Sequence, residues 1–218
     1  MPTPSMHQIL ISDLNEEIGS AISARQYEEL ALFLLLKIIA WKSTHLLNHS
    51  LRVATLSMQL VIHSEIGFST EEVGSLKLAA LMHDVGKTGI SEHILNKPEC
   101  LTEIESQWIR QHTIKGSELI QSLGMNKETS AIILSHHENY DGSGYPYGKK
   151  AKEIPLGSRI LRLADVFDAL TNHRAYRPSY SKDMALKIIQ DEHSFFDPKL
   201  LPMFMEMARD VVAEDLTS

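Results

Sequence analysis

Cysteine is almost missing from this chain. Cys100 is the single one in 218 residues, which excludes an internal disulfide and any zinc site built on several thiolates, and fits a reducing cytoplasm. A long apolar run is missing too. Leu30 to Trp41 is apolar but interrupted by Lys37, and a spanning helix needs about 20 such residues, so no membrane insertion is expected. The N-terminus lacks a basic flank leading into an apolar core and a small-residue cleavage site, so no signal peptide is read there. Positive charge is the third shortage, with 21 Lys and Arg against 28 Asp and Glu, a formal net charge of −7. Such a surface repels nucleic acid. DNA is therefore not expected as a partner, and an anionic ligand needs a local positive site. What remains is a cytoplasmic globular chain of ordinary composition, 43% hydrophobic and 22% charged.

The hydrophobic pattern is helical wherever it is regular. Pro2 and Pro4 give a loose start, and Asp13 can open a short helix. Leu30, Phe33, Leu34, Ile38 and Trp41 then recur at helical spacing, either as an ordinary core helix or as a face for a second copy. Leu46 to Ile66 is amphipathic, with His45 and His49 one turn apart on the same side. Ser69 with Glu72, and Thr102 with Glu105, have the spacing of capping boxes. The first opens a helix running to His83, broken by Gly86 and Gly89. The second opens a helix carrying Trp108, Ile109 and His112. A further helix from Ala131 finishes on His136-His137. Asp141 to Ala151 is turn chemistry throughout. Helices follow at Ser158 to Leu170, near Lys182 to His193, and from Asp197-Pro198 to about Ala213. No segment alternates as a strand would, so the fold class expected is all-α.

Histidine is what the chain has in excess, with 11 of them. His7, His63, His93, His173 and His193 read as surface or satisfied core residues. The others fall differently. Leu78-Ala-Ala-Leu-Met is an apolar run that ends on His83-Asp84, and a helix entering a core has no stability reason to finish on such a pair. His49, His112 and His136-His137 are carried by other helices, and Asp165 sits among apolar neighbours. Five imidazoles with two or three carboxylates form a nitrogen and oxygen set suited to iron or manganese, with zinc as an alternative. That is more than one ion uses. Two ions about 3.5–4 Å apart with a bridging carboxylate, the arrangement of phosphodiester hydrolysis, is the economical solution.

His83-Asp84 with Gly86-Lys87, His136-His137-Glu138-Asn-Tyr-Asp141-Gly-Ser-Gly144-Tyr145-Pro146, and Ala164-Asp165-Val-Phe-Asp168 together resemble the HD-GYP branch of the HD phosphohydrolases. The resemblance implies a single helical HD-type domain over 45–218, with residues 1–44 as a helical extension. It implies cyclic di-GMP as substrate and a two-metal-activated hydroxide that opens the ring to linear pGpG. By resemblance, the metal ligands are His49, His83, Asp84, His112, His136, His137 and Asp165, with Asp84 bridging. Lys87 contacts the scissile phosphate or leaving oxygen, so it and Asp84 are the catalytic pair. Asp168, Arg174 and Arg177 fall on the substrate side. Gly144 and Tyr145 border the site, and the Gly144-Tyr145-Pro146 loop is also a surface for a signalling partner. One position departs. Where some members carry a glutamate that helps hold a third metal, this chain has His45, which favours two divalent ions. The rival reading is a non-catalytic module that binds the nucleotide or docks another protein.

Overall fold

The structure is a computed structural model that describes residues 24–64, 66–95, 97–172 and 179–210. Among the described residues the regular elements are helices, with no strand. Helix α1 (Ala24–Lys42) is followed after one residue by α2 (Thr44–His63), whose N-terminal cap is the Ser43 hydroxyl accepting the Leu46 amide. Ser69 opens α3 (Thr70–Met82) through both halves of the predicted capping box. A 3-10 turn over Val85–Gly89 comes next, so Gly86 lies inside a tightened turn rather than at the break. After the short α4 (Glu92–Leu95), Thr102 and Glu105 form the second predicted box and open α5 (Glu103–Arg110). The remaining helices are α6 (His112–Ser122), α7 (Lys127–Ser135), α8 (Leu156–Thr171), α9 (Lys182–Asp191) and α10 (Leu200–Asp210).

Helix α2 is the hub, packed on α1, α3, α8 and α10, while α6 lies against α7 and the 85–89 turn. The core between them is apolar, with Leu56, Leu60, Leu76, Met82, Ile120, Ile132, Ile133, Ile160, Phe167 and Phe204 fully buried. Its middle is fixed by the edge-to-face pair Phe167 and Phe204, 5.5 Å between centroids.

Two expectations need correcting. The first concerns His112, expected inside the helix that Thr102 opens. It instead begins α6, because its ring Nδ1 donates to the Ile109 carbonyl at 2.6 Å, the acceptor that a continuing helix would give to the Thr113 amide. The second concerns α1. Its buried stripe is Ala31, Leu35 and Ile39, which join the common core. The residues read as the apolar face, Leu30, Phe33, Leu34, Ile38 and Trp41, are all exposed, Trp41 at 89%. Both stripes are apolar at helical spacing, and contact with α2 and the 85–89 turn selects between them.

Candidate metal centre

Three of the candidate histidines are held by one local device. His83, His112 and His136 each stand where an α-helix stops or restarts, and each Nδ1 lies 2.6–2.8 Å from the carbonyl three residues earlier, on Ala80, Ile109 and Ile133. Carbonyls of a last helical turn have no amide partner, so a ring N–H can take them. A carbonyl only accepts, so Nδ1 carries the proton and Nε2 keeps its lone pair. His49 reaches the same state another way. Its Nδ1 lies 2.6 Å from Asp168 Oδ2, and Asp168 is held by a two-point contact with Arg52.

These lone pairs converge. His49 Nε2 and His83 Nε2 are 3.2 Å apart, and His112 Nε2 and His136 Nε2 are 3.3 Å apart. Between His112 and His136, both neutral, two lone pairs at that distance repel unless a cation lies between them, and at His49 a proton takes that place in the metal-free protein. The donors fall into two groups, Asp84 with His112, His136 and His137, and His49 with His83 and Asp165. Asp84 stands between the groups. Its Oδ2 is 3.5 Å from His83 Nε2 and 3.8 Å from His49 Nε2, while its Oδ1 is 3.3 Å from His112 Nε2. Asp84 is 1% exposed, and Oδ1 has no hydrogen-bond partner. A buried carboxylate oxygen left without a donor is costly, and a divalent cation satisfies it together with the facing nitrogens. The residues therefore fit such ions.

The protonation states agree. Burial pushes His83, His136 and His137 down and His112 down to about 4, which leaves neutral imidazoles. Burial works against the charged forms of Asp84 and Asp165. Lys87 and the histidines around Asp84, and the His49 hydrogen bond to Asp165, outweigh it, so both carboxyls fall well below their usual range. His49 goes the other way. Burial disfavours its cation, but Asp165 and Asp168 raise it to about 9. A proton and a metal ion compete for the same Nε2 lone pair, and the same anions attract both.

The other candidates are placed as follows. Lys87 Nζ donates to Asp84 Oδ2 at 2.6 Å. Asp168 is not on an open substrate side. It is 1% exposed, with its oxygens taken by His49, Arg52 and Asn172, because α8 turns it behind His49. Tyr145 stacks on His137, 4.8 Å between centroids, and Gly144 beside it is packed so closely that a Cβ would lie 2.2 Å from the Asn139 amide nitrogen. Arg174 and Arg177 lie outside the described residues, as do His7 and His173. His63, His93 and His193 are exposed, as expected of surface histidines. His45 is exposed and belongs to neither donor group.

Sequence reasoning missed four contributors. Arg52 clamps Asp168. Glu138, 2% exposed, accepts the Tyr147 and Lys149 amides and so shapes the loop that carries Tyr145. Arg110 lies over the Tyr145 ring. Gly86 faces the start of α6, where a Cβ would sit 2.1 Å from the His112 carbonyl oxygen, and this lets the 83–87 segment reach His112. Arg52 lies three residues past His49 on the same helix, and Gly86 and Glu138 fall within the HD-GYP motifs, but only the packing shows what each of them does.

Comparison with known proteins gives a consistent picture. The family model described as HD domain matches residues 34–200. The 3'3'-cGAMP-specific phosphodiesterase 3 of Vibrio cholerae is 37% identical over 164 residues, which cover 75% of this chain and 35% of that protein. The cyclic di-GMP phosphodiesterase response regulator of Xanthomonas campestris pv. campestris is 36% identical over 202 residues, 89% of this chain and 50% of that protein. This chain thus spans half or less of the length of these two relatives. An HDG"Y"P protein from Bdellovibrio bacteriovorus has the same fold, with TM-score 0.62 and 20% identity over 74% of this chain and 51% of that one.

Proposed function

The chain belongs to the HD domain family, and from that premise we propose that it hydrolyses cyclic di-GMP to linear pGpG at a centre of two divalent ions, iron or manganese. The observation that carries this reading is Asp84, whose two oxygens face different donor groups and one of which has no other partner. The chemistry that divalent ions would supply there is activation of a water and charge stabilisation at the phosphoryl oxygens. His49, His83 and Asp165 would hold one ion, and His112, His136 and His137 the other, with Asp84 within reach of both groups. The rest follows from the chain's own groups. Ring N–H bonds to three carbonyls and to Asp168 keep the Nε2 atoms of His83, His112, His136 and His49 aimed inward. Lys87 brings an ammonium to the edge of the centre, where it stabilises charge on the leaving oxygen and gives it a proton. Exposed His45 supplies no third carboxylate, which favours stopping at pGpG.

A second substrate is favoured by one specific relative, since the Vibrio cholerae protein named for 3'3'-cGAMP is as similar as the one named for cyclic di-GMP. Both are guanine-containing cyclic dinucleotides, so the substrate class is common to the two. The Gly144-Tyr145-Pro146 loop is the surface offered to a signalling partner, and the exposed stripe of α1 that offered to a second copy. Residues 45–218 form the phosphodiesterase domain and 1–44 its extension. No described helix is long and apolar enough to cross a membrane.

The test is metal content of anaerobically purified protein together with cyclic di-GMP turnover. Asp84→Ala and His83→Ala should lose bound metal and lower kcat by more than about 100-fold, as removal of a principal charge-stabilising group does. Full metal content and turnover in either variant would sink the assignment. Metal-free folded protein that binds the dinucleotide without cleaving it would favour the non-catalytic module.

A further inference from the structure

A cyclic dinucleotide carries two phosphodiesters, and the centre takes only one. On a chain of net charge −7 the second needs cations of its own. Lys87 lies on Asp84 and Arg52 is held by Asp168. Two arginines near the centre form no ion pair among the described residues. Arg110, the exposed last residue of α5, sets its guanidinium carbon 5.1 Å from the centroid of the Tyr145 ring. Tyr145 in turn stacks on His137. A guanidinium over a ring uses its face for the contact, and its N–H edge stays free for oxygen acceptors. Arg162, one turn before Asp165 on α8, gives Nε to Asn139 Oδ1 at 3.1 Å, which fixes the group and leaves its terminal nitrogens.

We propose that Arg110, set over the Tyr145 ring, and Arg162, held by Asn139, form a second phosphate site that holds the non-scissile phosphodiester of the substrate. This rests on the chain being a cyclic dinucleotide phosphodiesterase. Two features point to an anion there. The fork of N–H groups on arginine matches a phosphate's paired oxygens. Asn139, which holds Arg162, lies against Gly144 beside Tyr145, and Tyr145 lies under Arg110, so the two arginines border one small region. Fold stability does not account for Arg110, an exposed side chain with no carboxylate to hold.

The experiment measures steady-state kinetics of Arg110→Ala, Arg110→Lys and Arg162→Ala on cyclic di-GMP, with metal content measured alongside. Inhibition by cyclic di-AMP, which has both phosphates and no guanine, is measured in parallel. Turnover of bis(p-nitrophenyl) phosphate, a single diester, is the third readout. Arg110→Ala should raise KM for cyclic di-GMP on the order of 10- to 100-fold and weaken cyclic di-AMP inhibition to match, as loss of a charged hydrogen bond does. The kcat should fall less, because the contact is made in ground and transition states alike. Arg110→Lys should recover part of the loss as a point charge, and the single diester should suffer least. Unchanged KM overturns the proposal. So does a loss confined to cyclic di-GMP, which would make Arg110 a reader of the guanine edge. Wild-type protein that cleaves the single diester but no cyclic dinucleotide would refute the proposed function instead, before any variant is compared.

Discussion

At the scale of the residue, the centre depends on where protons are kept. Four of the five rings carry a proton on Nδ1 because something that only accepts hydrogen bonds sits there, a freed helix carbonyl for His83, His112 and His136 and the Asp168 carboxylate for His49. Asp168 is the exception worth testing, since it is the one anion in that role. Its 2.6 Å contact raises the basicity of His49, and Arg52 keeps it in place. Asp168→Asn keeps the shape and removes the charge. Metal affinity measured by competition with a chelating dye should fall about 10- to 100-fold, the usual cost of losing such a supporting partner. Thermal stability of the metal-free protein should fall as well, because the substitution leaves the Arg52 guanidinium and the His49 ring without their buried anion. The donor types were legible in the sequence, because an imidazole or carboxylate closing an apolar run has few other reasons to be there. The place of Asp168 was not, because the resemblance marked it as near the site without saying which side of His49 it would occupy.

At the scale of the element, what matters is how helix ends are brought together. The 85–89 turn packs on α6 at Gly86, where the nearest atoms to an added Cβ would be backbone of His112 and Gly116. Backbone cannot move aside as a flexible side chain can. Gly86→Ala should therefore cost on the order of 3 kcal/mol through overpacking, read as a lower denaturation midpoint in urea, and should separate Asp84 from His112 and so lower metal content as well. Local features of this kind divide cleanly by what the sequence could reveal. Ser69 with Glu72 and Thr102 with Glu105 cap helices by bonds that span three residues, and both boxes form as read. The break before His112 also arises locally, but it depends on a ring donating to Ile109, which spacing alone does not disclose. The buried side of α1 is settled by α2 and the 85–89 turn, so Ala31, Leu35 and Ile39 could not be preferred over the larger apolar residues beside them. The approach of Gly86 to His112 is a contact between separate elements and left no mark in the pattern.

At the scale of the whole molecule, the apolar helical core brings donors together from two kinds of position, with His83, Asp84, His112, His136 and His137 at or just beyond helix ends and His49 and Asp165 within α2 and α8. The all-α class was legible from periodicity, and the family from the joint motifs, while the arrangement of the two donor groups needed the packing of α2, α3, α6, α7 and α8. For an acidic chain to act on the proposed dianionic substrate, positive charge has to be concentrated in one place, and two divalent ions with Lys87, Arg110 and Arg162 around them would do so. The account stands on Asp84 joining two ions. An anomalous-scattering map of crystals loaded with manganese or iron tests this most directly. It should hold two peaks about 3.5–4 Å apart, one among His112, His136 and His137 and one among His49, His83 and Asp165, with Asp84 touching both. A single peak, or two peaks of which Asp84 touches only one, would contradict it.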